Sequence, residues 1–481
     1  MRQLSPPAKA GSTDREARLG AWGFCLLAGV LILLLGLIHA HRHSQAMRAT
    51  QAAGAAAPAA PANSPQSEPA RRRPRSFASQ PGPAPTAEEI VAGKVAQFGR
   101  NRREIARLIA RRSGKPVSAE VERFFDAVDS GRWEDIKAQW DALAKRSGQY
   151  EHSTNHWEDL DPFWASVLDA YGVAEQAHIW PAQKLLDYGN SVLGALRPGM
   201  VLVGGTDNGR WIPELLSETA DGEQHIVITQ NAMADARYVD FMNTLYGERM
   251  TGLTSEDSQR AFAEYTADAQ KRLEHDQQFP DEPKQLLPGE DLQLVDGKLQ
   301  VRGVTAVMAI NGKLLQTLMR KNPDLSFAIQ ESYPLKDTYA DALPLGPLME
   351  LGAAGSQEDF TPDAAAQSLD YWRKTAGQVL AESPTPGSEP ELKSYAHDAV
   401  AAANLLAAHN YAPEAEEAYR LAAQLWPASG ESVCGLAALL AGNGRQEEAQ
   451  QLLDDFARKY PDQRKEVENQ RATLILGTAQ R

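Results

Sequence analysis

Cysteine is scarce in this sequence of 481 residues, in which only Cys25 and Cys434 occur. Two cysteines cannot form a disulfide framework or a four-cysteine zinc site. The nucleophile-elbow, phosphate-loop and H-E-x-x-H motifs are also missing from the sequence. Basic charge is in short supply after residue 115, where 31 Lys and Arg stand against 57 Asp and Glu. Because nucleic-acid phosphates need a basic surface, we predict no nucleic-acid partner for this acidic part of the chain.

One long apolar run is present near the N-terminus. Residues 21–38, AWGFCLLAGVLILLLGLI, carry no charge, and 18 helical residues just span a hydrocarbon core of about 30 Å. A cleaved signal peptide is the alternative, but its apolar region usually covers about 7–15 residues and ends in small residues. The run here is longer, and His39, His41, Arg42 and His43 follow it. We therefore predict an uncleaved, single-pass membrane anchor.

Charges that flank the run predict its orientation. The cations before it are Arg2, Lys9, Arg15 and Arg18, and those soon after it are Arg42 and Arg48. This bias predicts a cytoplasmic tail at 1–20, with the bulk of the chain in the periplasm or at the cell surface. Residues 39–86 are rich in Ala, Pro and Ser, which predicts a disordered linker between the membrane and the folded part.

The folded part reads as a predominantly helical α/β protein. Apolar residues recur at three- and four-residue steps within 87–150, which predicts a helical segment with a break at Ser130-Gly131. Within 151–355, short apolar runs alternate with helical patterns, which predicts a Rossmann-like domain of parallel βαβ units flanked by helices. The predicted strands are 201–203, 225–229 and 325–329, and residues 292–303 predict a hairpin that turns on Asp296-Gly297.

Residues 391–465 show internal repetition with a period of 34. Glu414-Ala415 recurs as Glu448-Ala449, and Pro427 recurs as Pro461. Each copy reads helix, break, helix and ends in proline, which is typical of tetratricopeptide repeats. We expect the two copies to pack on a helix within 356–390, where a helix and a linker are predicted. Such repeats commonly present a groove to peptides, so a protein partner is expected there. Residues 466–481 are predicted to form a C-terminal tail.

Polar residues follow the predicted strands at their carboxyl ends, where ligands collect in open α/β sheets. The loop Gly204–Arg210 leads into a helix N-terminus, which attracts anions, and Arg210 could clamp a phosphate or carboxylate. The predicted ligand-binding residues are Gly205, Thr206, Asp207, Gly209, Arg210, Gln230, Asn231 and Glu331. A sugar-like or phosphorylated ligand would suit them. The same pattern also fits a tight turn in which Asp207 caps the helix and pairs with Arg210.

Metal binding has little support in the sequence. His152 and His156 are four residues apart, a spacing that places both on one face of a helix. The Ser-Thr-Asn between them favours a loop, and no third ligand is marked, whereas metal sites need three or four. We therefore predict no metal site and no cofactor. The sequence does not decide whether the protein is an enzyme, and it favours a non-catalytic role.

Four segments carry a resemblance to a known family. They are GGTDNGRWIPELL, HIVITQNAMADARYVDFMNTLYG, VMAINGKLLQTLMRKNPDLSFAIQESYPL and YADALPLGPLMEL. In this order they resemble the soluble C-terminal portion of multispanning membrane proteins related to protein O-mannosyltransferases, which is also associated with tetratricopeptide repeats. The resemblance covers roughly residues 160–355 and the repeats. Thr206, Asp207, Gly209 and Arg210 match the family's loop motif, and Asn208 stands where the family usually has proline.

The chain departs from those relatives in one decisive respect. It has a single predicted anchor and no many-helix membrane core, which is where the family's catalytic acid lies. The resemblance therefore implies an accessory domain and not a transferase. The expectation is a membrane-anchored interaction module of the cell envelope with a role in glycan assembly or export. The alternative is an enzyme or binding protein for a phosphorylated or sugar-containing ligand at the Gly204–Arg210 loop.

Overall fold

The computed structural model describes residues 84–147, 160–205, 207–287, 290–295, 298–330, 340–352, 360–382, 387–464 and 467–468. The predicted tail, anchor and C-terminal tail lie outside these residues almost entirely, as do Thr206, Glu331 and the histidine pair at 152 and 156. Among the helices that are described, none combines the length and the apolar character needed to cross a membrane.

In the described part of the chain, five α-helices precede the first strand. They are α1 (Ala87–Ser113), α2 (Ala119–Ser130), α3 (Trp133–Ser147), α4 (Trp164–Ile179) and α5 (Ala182–Leu193). Thr86 begins α1 with a capping box, because its hydroxyl accepts from the Glu89 N–H while the Glu89 carboxylate accepts from the Thr86 N–H. Gly131 ends α2 at φ 70°, a left-handed conformation that suits glycine, so the helix break predicted at Ser130-Gly131 is present.

Between residues 201 and 351, the described residues form seven strands and four α-helices. In chain order they are β1 (Val201–Gly204), α6 (Asp207–Glu218), β2 (Ile226–Thr229), α7 (Ala236–Tyr246), α8 (Ser255–Gln278), β3 (Asp291–Val295), β4 (Lys298–Arg302), α9 (Val304–Lys321), β5 (Phe327–Ile329), β6 (Ala342–Leu345) and β7 (Leu348–Leu351). β3 and β4 form the predicted hairpin as a separate two-stranded sheet, and the other strands form one sheet in the order β2-β1-β5-β7-β6.

The five-stranded sheet is mixed, so the prediction of a purely parallel sheet needs correction. β1 pairs in parallel with β2 and with β5, as the alternating pattern indicated. β7 pairs antiparallel with both β5 and β6. The sequence ALPLGPLMEL forms the β6–β7 hairpin. Its strands are short, β6 contains proline, and apolar and polar residues do not alternate in them, so the sequence did not predict strands at this edge of the sheet.

Tyrosine hydroxyls cover the outer edge of β2. The Val227 N–H donates to the Tyr246 hydroxyl at 3.4 Å, and this hydroxyl donates to the Val227 carbonyl at 3.1 Å. The Thr229 N–H donates to the Tyr238 hydroxyl at 2.8 Å. Burial raises the pKa of both phenols well above the ordinary value, so both remain neutral donors. Two side chains of α7 thereby satisfy backbone groups that an edge strand would otherwise leave open.

Replacing Tyr246 with phenylalanine should lower the free energy of unfolding by about 1–3 kcal/mol, because the buried N–H and C=O of Val227 lose their partner. Urea denaturation would measure the loss. Tyr460→Phe is the matched control, since this half-buried phenol has no described hydrogen-bond partner and should change stability by less than about 0.5 kcal/mol. Equal losses in both variants would contradict the edge-covering role.

After the sheet, five α-helices are described. They are α10 (Pro362–Ala381), α11 (Glu389–Ala408), α12 (Ala412–Leu425), α13 (Gly430–Gly442) and α14 (Gln446–Lys459). α11 packs on α12 and α13 packs on α14, which gives two stacked hairpins with the predicted period. Ala415 and Ala449, the repeated alanines, are fully buried, and their small side chains let the helices of each pair approach closely. α11 also lies against α5, β6 and β7, so its other face packs on the sheet domain.

Candidate functional site

The strand order places a topological switch point between β1 and β5. The chain moves from β1 to β2 on one side and later reaches β5 on the other side of β1. In such sheets the crevice at the carboxyl ends of the two diverging strands is the usual ligand site. The Gly204–Arg210 loop follows β1, and the predicted site residues Gln230 and Asn231 follow β2. Gln330, which was not among the predicted site residues, follows β5 and borders this crevice.

Arg210 does not face the crevice as a free cation. Its side chain is only 11% exposed, and its guanidinium bonds Asp169 of α4 and, at 3.2 Å, Glu214 one turn further along α6. Asp169 is fully buried, and Glu214 is 2% exposed. The anion clamp predicted for Arg210 is therefore occupied by carboxylates of the chain itself.

A second arginine completes a buried charge cluster. Arg102 of α1 is fully buried and bonds three carboxylates. Its Nε donates to Asp169, its Nη2 donates to Glu214 at 2.8 Å, and its Nη1 lies 2.6 Å from Glu218. The cluster consists of Arg102, Asp169, Arg210, Glu214 and Glu218, and it joins α1, α4 and α6. It fixes the helix that begins at the loop.

The two most buried acids of this cluster, Asp169 and Glu214, differ in their protonation state. Burial and the neighbouring charge of Asp169 raise the pKa of Glu214 to about 8. Burial by itself would raise the pKa of Asp169, but Arg210 and Arg102 outweigh it and hold that pKa below the ordinary value. At neutral pH Glu214 thus keeps its proton, and Asp169 carries the negative charge that faces the two guanidinium groups.

The stability of the protein should decrease as pH rises from about 4.5 to 8. Folded Glu214 has a pKa of about 8 against an ordinary value of 4.5, so over this window only the folded state holds the proton. The stabilisation is complete below pH 4.5 and is lost as pH rises through 8. Urea denaturation at pH 6.0 and 8.5 measures the free energy of unfolding. Between these two pH values it should decrease less in Glu214→Gln than in the unmodified protein. The control is Glu134→Gln, at an exposed position of α3. An equal change in the free energy of unfolding with pH in the two variants and the unmodified protein would refute the assignment.

The turn after β2 is held by polar side chains. Asn231 donates from Nδ2 to the carbonyl of Gly205, and the Thr229 hydroxyl donates to the same carbonyl at 3.2 Å. Asn311 of α9 is fully buried, donates to the Asn231 carbonyl at 2.9 Å and accepts from the Ala234 N–H at 2.8 Å. Gln230 is also buried, in the 3-10 turn Gln230–Ala232. These contacts connect the turn to the Gly204–Arg210 loop and hold both in place.

The crevice itself is filled by side chains from two other elements. Gln330 donates from Nε2 to the Tyr188 hydroxyl of α5 at 2.5 Å and to Asp398 of α11 at 3.2 Å. The Tyr188 hydroxyl in turn donates to Asp398 at 3.0 Å. All three residues are at most 2% exposed. A methyl group at Gly209 would lie 2.9 Å from Gln330 Oε1, so the loop packs closely against this side chain.

Two amide oxygens beside the loop have no donor among the described residues. They are Oδ1 of Asn231 and Oε1 of Gln330, and both atoms are buried. A buried acceptor without a partner costs about 1–3 kcal/mol, so these atoms favour any water or hydroxyl-bearing molecule that can reach them. Among the described residues beside the loop, these two oxygens suit a ligand.

Of the predicted site residues, Gly205, Gly209, Arg210, Gln230 and Asn231 lie together at the loop. Asp207 is the first residue of α6, and its side chain lies outside the description, as do Thr206 and Glu331. Sequence reasoning missed the partners of these residues, which are Arg102, Asp169, Tyr188, Glu214, Asn311 and Asp398. One signal was available, because Asp169 is the only charge between Trp164 and Val173 in an apolar helix.

Surface depressions in the described part of the chain lie away from the loop. One is lined by Arg260, Glu264, Lys313 and Arg320 between α8 and α9, and another runs along the polar face of α14. No group of three or more His, Cys, Asp or Glu in the described ranges is arranged to hold a metal ion. Comparison with known proteins found no matching family model, no matching curated protein and no matching solved structure.

Proposed function

We propose that this chain is a single-pass, membrane-anchored interaction module of the cell envelope without catalytic activity of its own. The observation that carries the non-catalytic part is the closed crevice. Arg210 is paired with Asp169 and Glu214, and Asp398 occupies the space at the end of β5. An enzyme of this fold class would need that space for its substrate.

The same proposal includes a Rossmann-like unit, tetratricopeptide repeats and a membrane anchor. α6 crosses between the parallel strands β1 and β2, which supports a Rossmann-like unit. α11 to α14 repeat with a period of 34 residues, which supports tetratricopeptide repeats. The apolar run 21–38 supports the anchor, and the cations before it support an extracytoplasmic location. The resemblance to the soluble portion of protein O-mannosyltransferase-like proteins supports a role in glycan assembly or export.

The surface for a protein partner is proposed on the repeats. α11 is buried against the sheet domain, so the accessible part is the outer surface of α12, α13 and α14. Residues with exposed side chains there include Gln424, Ala438 and Gln450. Photo-crosslinking in native membranes tests this surface, with a photoreactive residue at Ala438 or Gln450 and a control at Arg132 in the α2–α3 turn. A partner adduct is expected from the repeat positions only.

The absence of a small-molecule ligand is tested separately, on the full chain in detergent. Sugar phosphates, nucleotide sugars and divalent cations should leave its melting temperature unchanged. A ligand at 100 times its dissociation constant would stabilise the fold by about 2.7 kcal/mol, which is readily measured. Such a shift would overturn the non-catalytic proposal.

The second candidate is a ligand-binding protein or enzyme for a sugar-containing or phosphorylated molecule at the loop. The buried amide oxygens of Asn231 and Gln330 favour it, because sugar hydroxyls are suitable donors for both. A thermal shift with a sugar compound that disappears in Asn231→Ala would establish this function in place of the first. The control is Gln450→Ala, at an exposed position of α14, which should retain the thermal shift.

A further inference from the structure

Positive charge collects on one helix in a part of the chain that is otherwise acidic. The charged residues of α9 are Lys313, Arg320 and Lys321, and all three are cations. After residue 115, by contrast, 31 Lys and Arg stand against 57 Asp and Glu. A helix of 18 residues without an acid therefore stands out, and the partners of its cations show how much of that charge is neutralised within the fold.

Two cations near the end of α9 share one carboxylate. Lys321 lies 2.6 Å from Asp257 of α8, and Arg260 of α8 lies 2.5 Å from the same side chain. The Asp257 side chain is only 8% exposed, so it is fixed between the two helices. One negative charge therefore faces two positive charges here.

The other two cations of α9 are less well balanced. Lys313 lies 3.8 Å from Glu264, a separation too long for a hydrogen bond, and the Glu264 side chain is 57% exposed. Arg320 donates to the Thr317 hydroxyl at 2.8 Å, and no carboxylate of the described residues forms an ion pair with its guanidinium. In this region two acids thus face four cations, which are Arg260, Lys313, Arg320 and Lys321.

Three of these cations line a depression between α8 and α9. The described lining consists of Arg260, Ala261, Glu264, Lys313, Gln316, Thr317 and Arg320. The four residues from α9 lie on one face of that helix, because they are spaced by three and four positions. The volume of the depression is about 80 Å³, well below the roughly 300–1,000 Å³ of usual small-molecule pockets. It therefore suits one charged group of a larger molecule.

The structure of the depression favours a carboxylate over a phosphate. Both helices pass it in their middle turns, so their backbone N–H groups there are bonded within the helices. Phosphate sites commonly use the free N–H groups of a helix N-terminus. Glu264 in the lining would also repel a phosphate with two negative charges more strongly than a carboxylate with one.

The charges around the depression favour a protein segment over an anionic membrane. Apart from the residues already named, α8 carries four acids and two Lys or Arg, which are Glu256, Asp268, Glu274, Asp276, Lys271 and Arg272. A bilayer would bring a broad negative surface against these acids. One acidic side chain reaches the depression and avoids them. A partner segment that carries Asp or Glu is therefore the occupant that this surface fits.

We propose that the depression between α8 and α9 receives a glutamate or aspartate side chain from an acidic segment of a partner protein. Arg320, which has no carboxylate partner among the described residues, donates to the incoming carboxylate in this complex. Arg260 and Lys313 add positive charge beside it. The inference rests on the proposed role in protein interaction and adds one contact, separate from the repeats.

The first test uses the full chain in detergent, with a fluorescent hexaglutamate peptide as the probe and fluorescence anisotropy at low salt as the measurement. The peptide is expected to bind, and Arg320→Gln should weaken its binding about fivefold, as expected for the loss of one exposed ion pair. Arg320→Glu should abolish binding. The matched control is Lys374→Gln, which removes one positive charge at an exposed position of α10 and should leave the affinity unchanged.

The second test is photo-crosslinking in native membranes, with a photoreactive residue at Gln316, which is exposed and lines the depression. An adduct with a partner is expected. It should be lost in Arg320→Glu, retained in Lys374→Gln and reduced by added hexaglutamate. The linked peptide of the partner, sequenced by mass spectrometry, should contain Asp or Glu beside the linked residue.

The outcomes separate this inference from the proposed function. Absence of hexaglutamate binding, or binding that Arg320→Glu does not weaken, overturns the site. Displacement of the peptide by inorganic phosphate or by phosphatidylglycerol vesicles overturns the choice of a protein carboxylate. An adduct at Gln450 of α14 with none at Gln316 overturns this inference and leaves the interaction role in place. Adducts at neither position overturn both. An adduct between two copies of this chain overturns the choice of a foreign partner.

Discussion

Replacing Arg102 with methionine is expected to lower the free energy of unfolding by about 3–5 kcal/mol, because it leaves buried carboxylates without their cation. Arg102 is fully buried and bonds Asp169, Glu214 and Glu218. Because Glu214 is protonated, the substitution would leave Asp169 with Arg210 as its single cation and Glu218 without the guanidinium that it contacts. The desolvation cost of the carboxylates was met by two guanidinium groups, and one group cannot meet it alone.

Urea denaturation at pH 7 would measure this effect, and the same helix provides the control. Arg100 lies two residues earlier in α1 and pairs with Asp129 at 2.6 Å, but the two side chains are 57% and 48% exposed. Arg100→Met should therefore cost less than about 1 kcal/mol. A loss below 1 kcal/mol in Arg102→Met as well would show that the cluster does not support the fold.

Replacing Asp398 with alanine is expected to be the second most damaging change, with a loss of about 3 kcal/mol. The buried Tyr188 hydroxyl and the Gln330 amide would both lose an acceptor, and each unpaired buried group costs about 1–3 kcal/mol. Because Asp398 belongs to α11 and its partners belong to the sheet domain, the loss should also loosen the packing of the repeats on the sheet.

Hydrogen exchange would locate the second effect. The amides of α11 and β5 should exchange faster in Asp398→Ala, while those of α1 should not change. Ser432 lies 34 residues later, at the equivalent position of the second repeat, and its hydroxyl bonds Ser429 within the same helix start at 2.7 Å. Ser432→Ala should cost about 1 kcal/mol and leave β5 protected. Faster exchange of β5 in both variants would contradict a specific latch at Asp398.

Local signals were sufficient to predict much of the fold. The helix break at Ser130-Gly131, the strands at 201–203, 225–229 and 325–329 and the hairpin at 292–303 are all present. Each depends on residues close together in sequence, such as a glycine that adopts a left-handed conformation or a short apolar run between turns. The β6–β7 hairpin was not predicted, because Pro344 and the surrounding apolar residues carry no alternation from which a strand could be read.

The candidate site shows where sequence reasoning stops. The strand ends predicted that the polar residues after β1, β2 and β5 would meet at one edge of the sheet. Gly209 and Gln330 lie close together there, whereas Glu331, the residue predicted at the end of β5, lies outside the described residues. The pattern could not distinguish an open anion clamp from a closed turn, since both need glycine and a following arginine. The partner of Arg210 decides between them, and Asp169 lies 41 residues away along the chain.

The sequence by itself determined the helical and strand segments, the period of 34 in the repeats and the acidic character of the folded part, because these follow from neighbouring residues and from composition. Only the tertiary structure decided that the crevice is closed and that Glu214 keeps its proton. Each of these depends on groups from distant segments that meet in a buried place, where desolvation makes every unpaired charge or hydrogen bond costly. Such pairings are set by packing and cannot be predicted from residues that are neighbours in sequence.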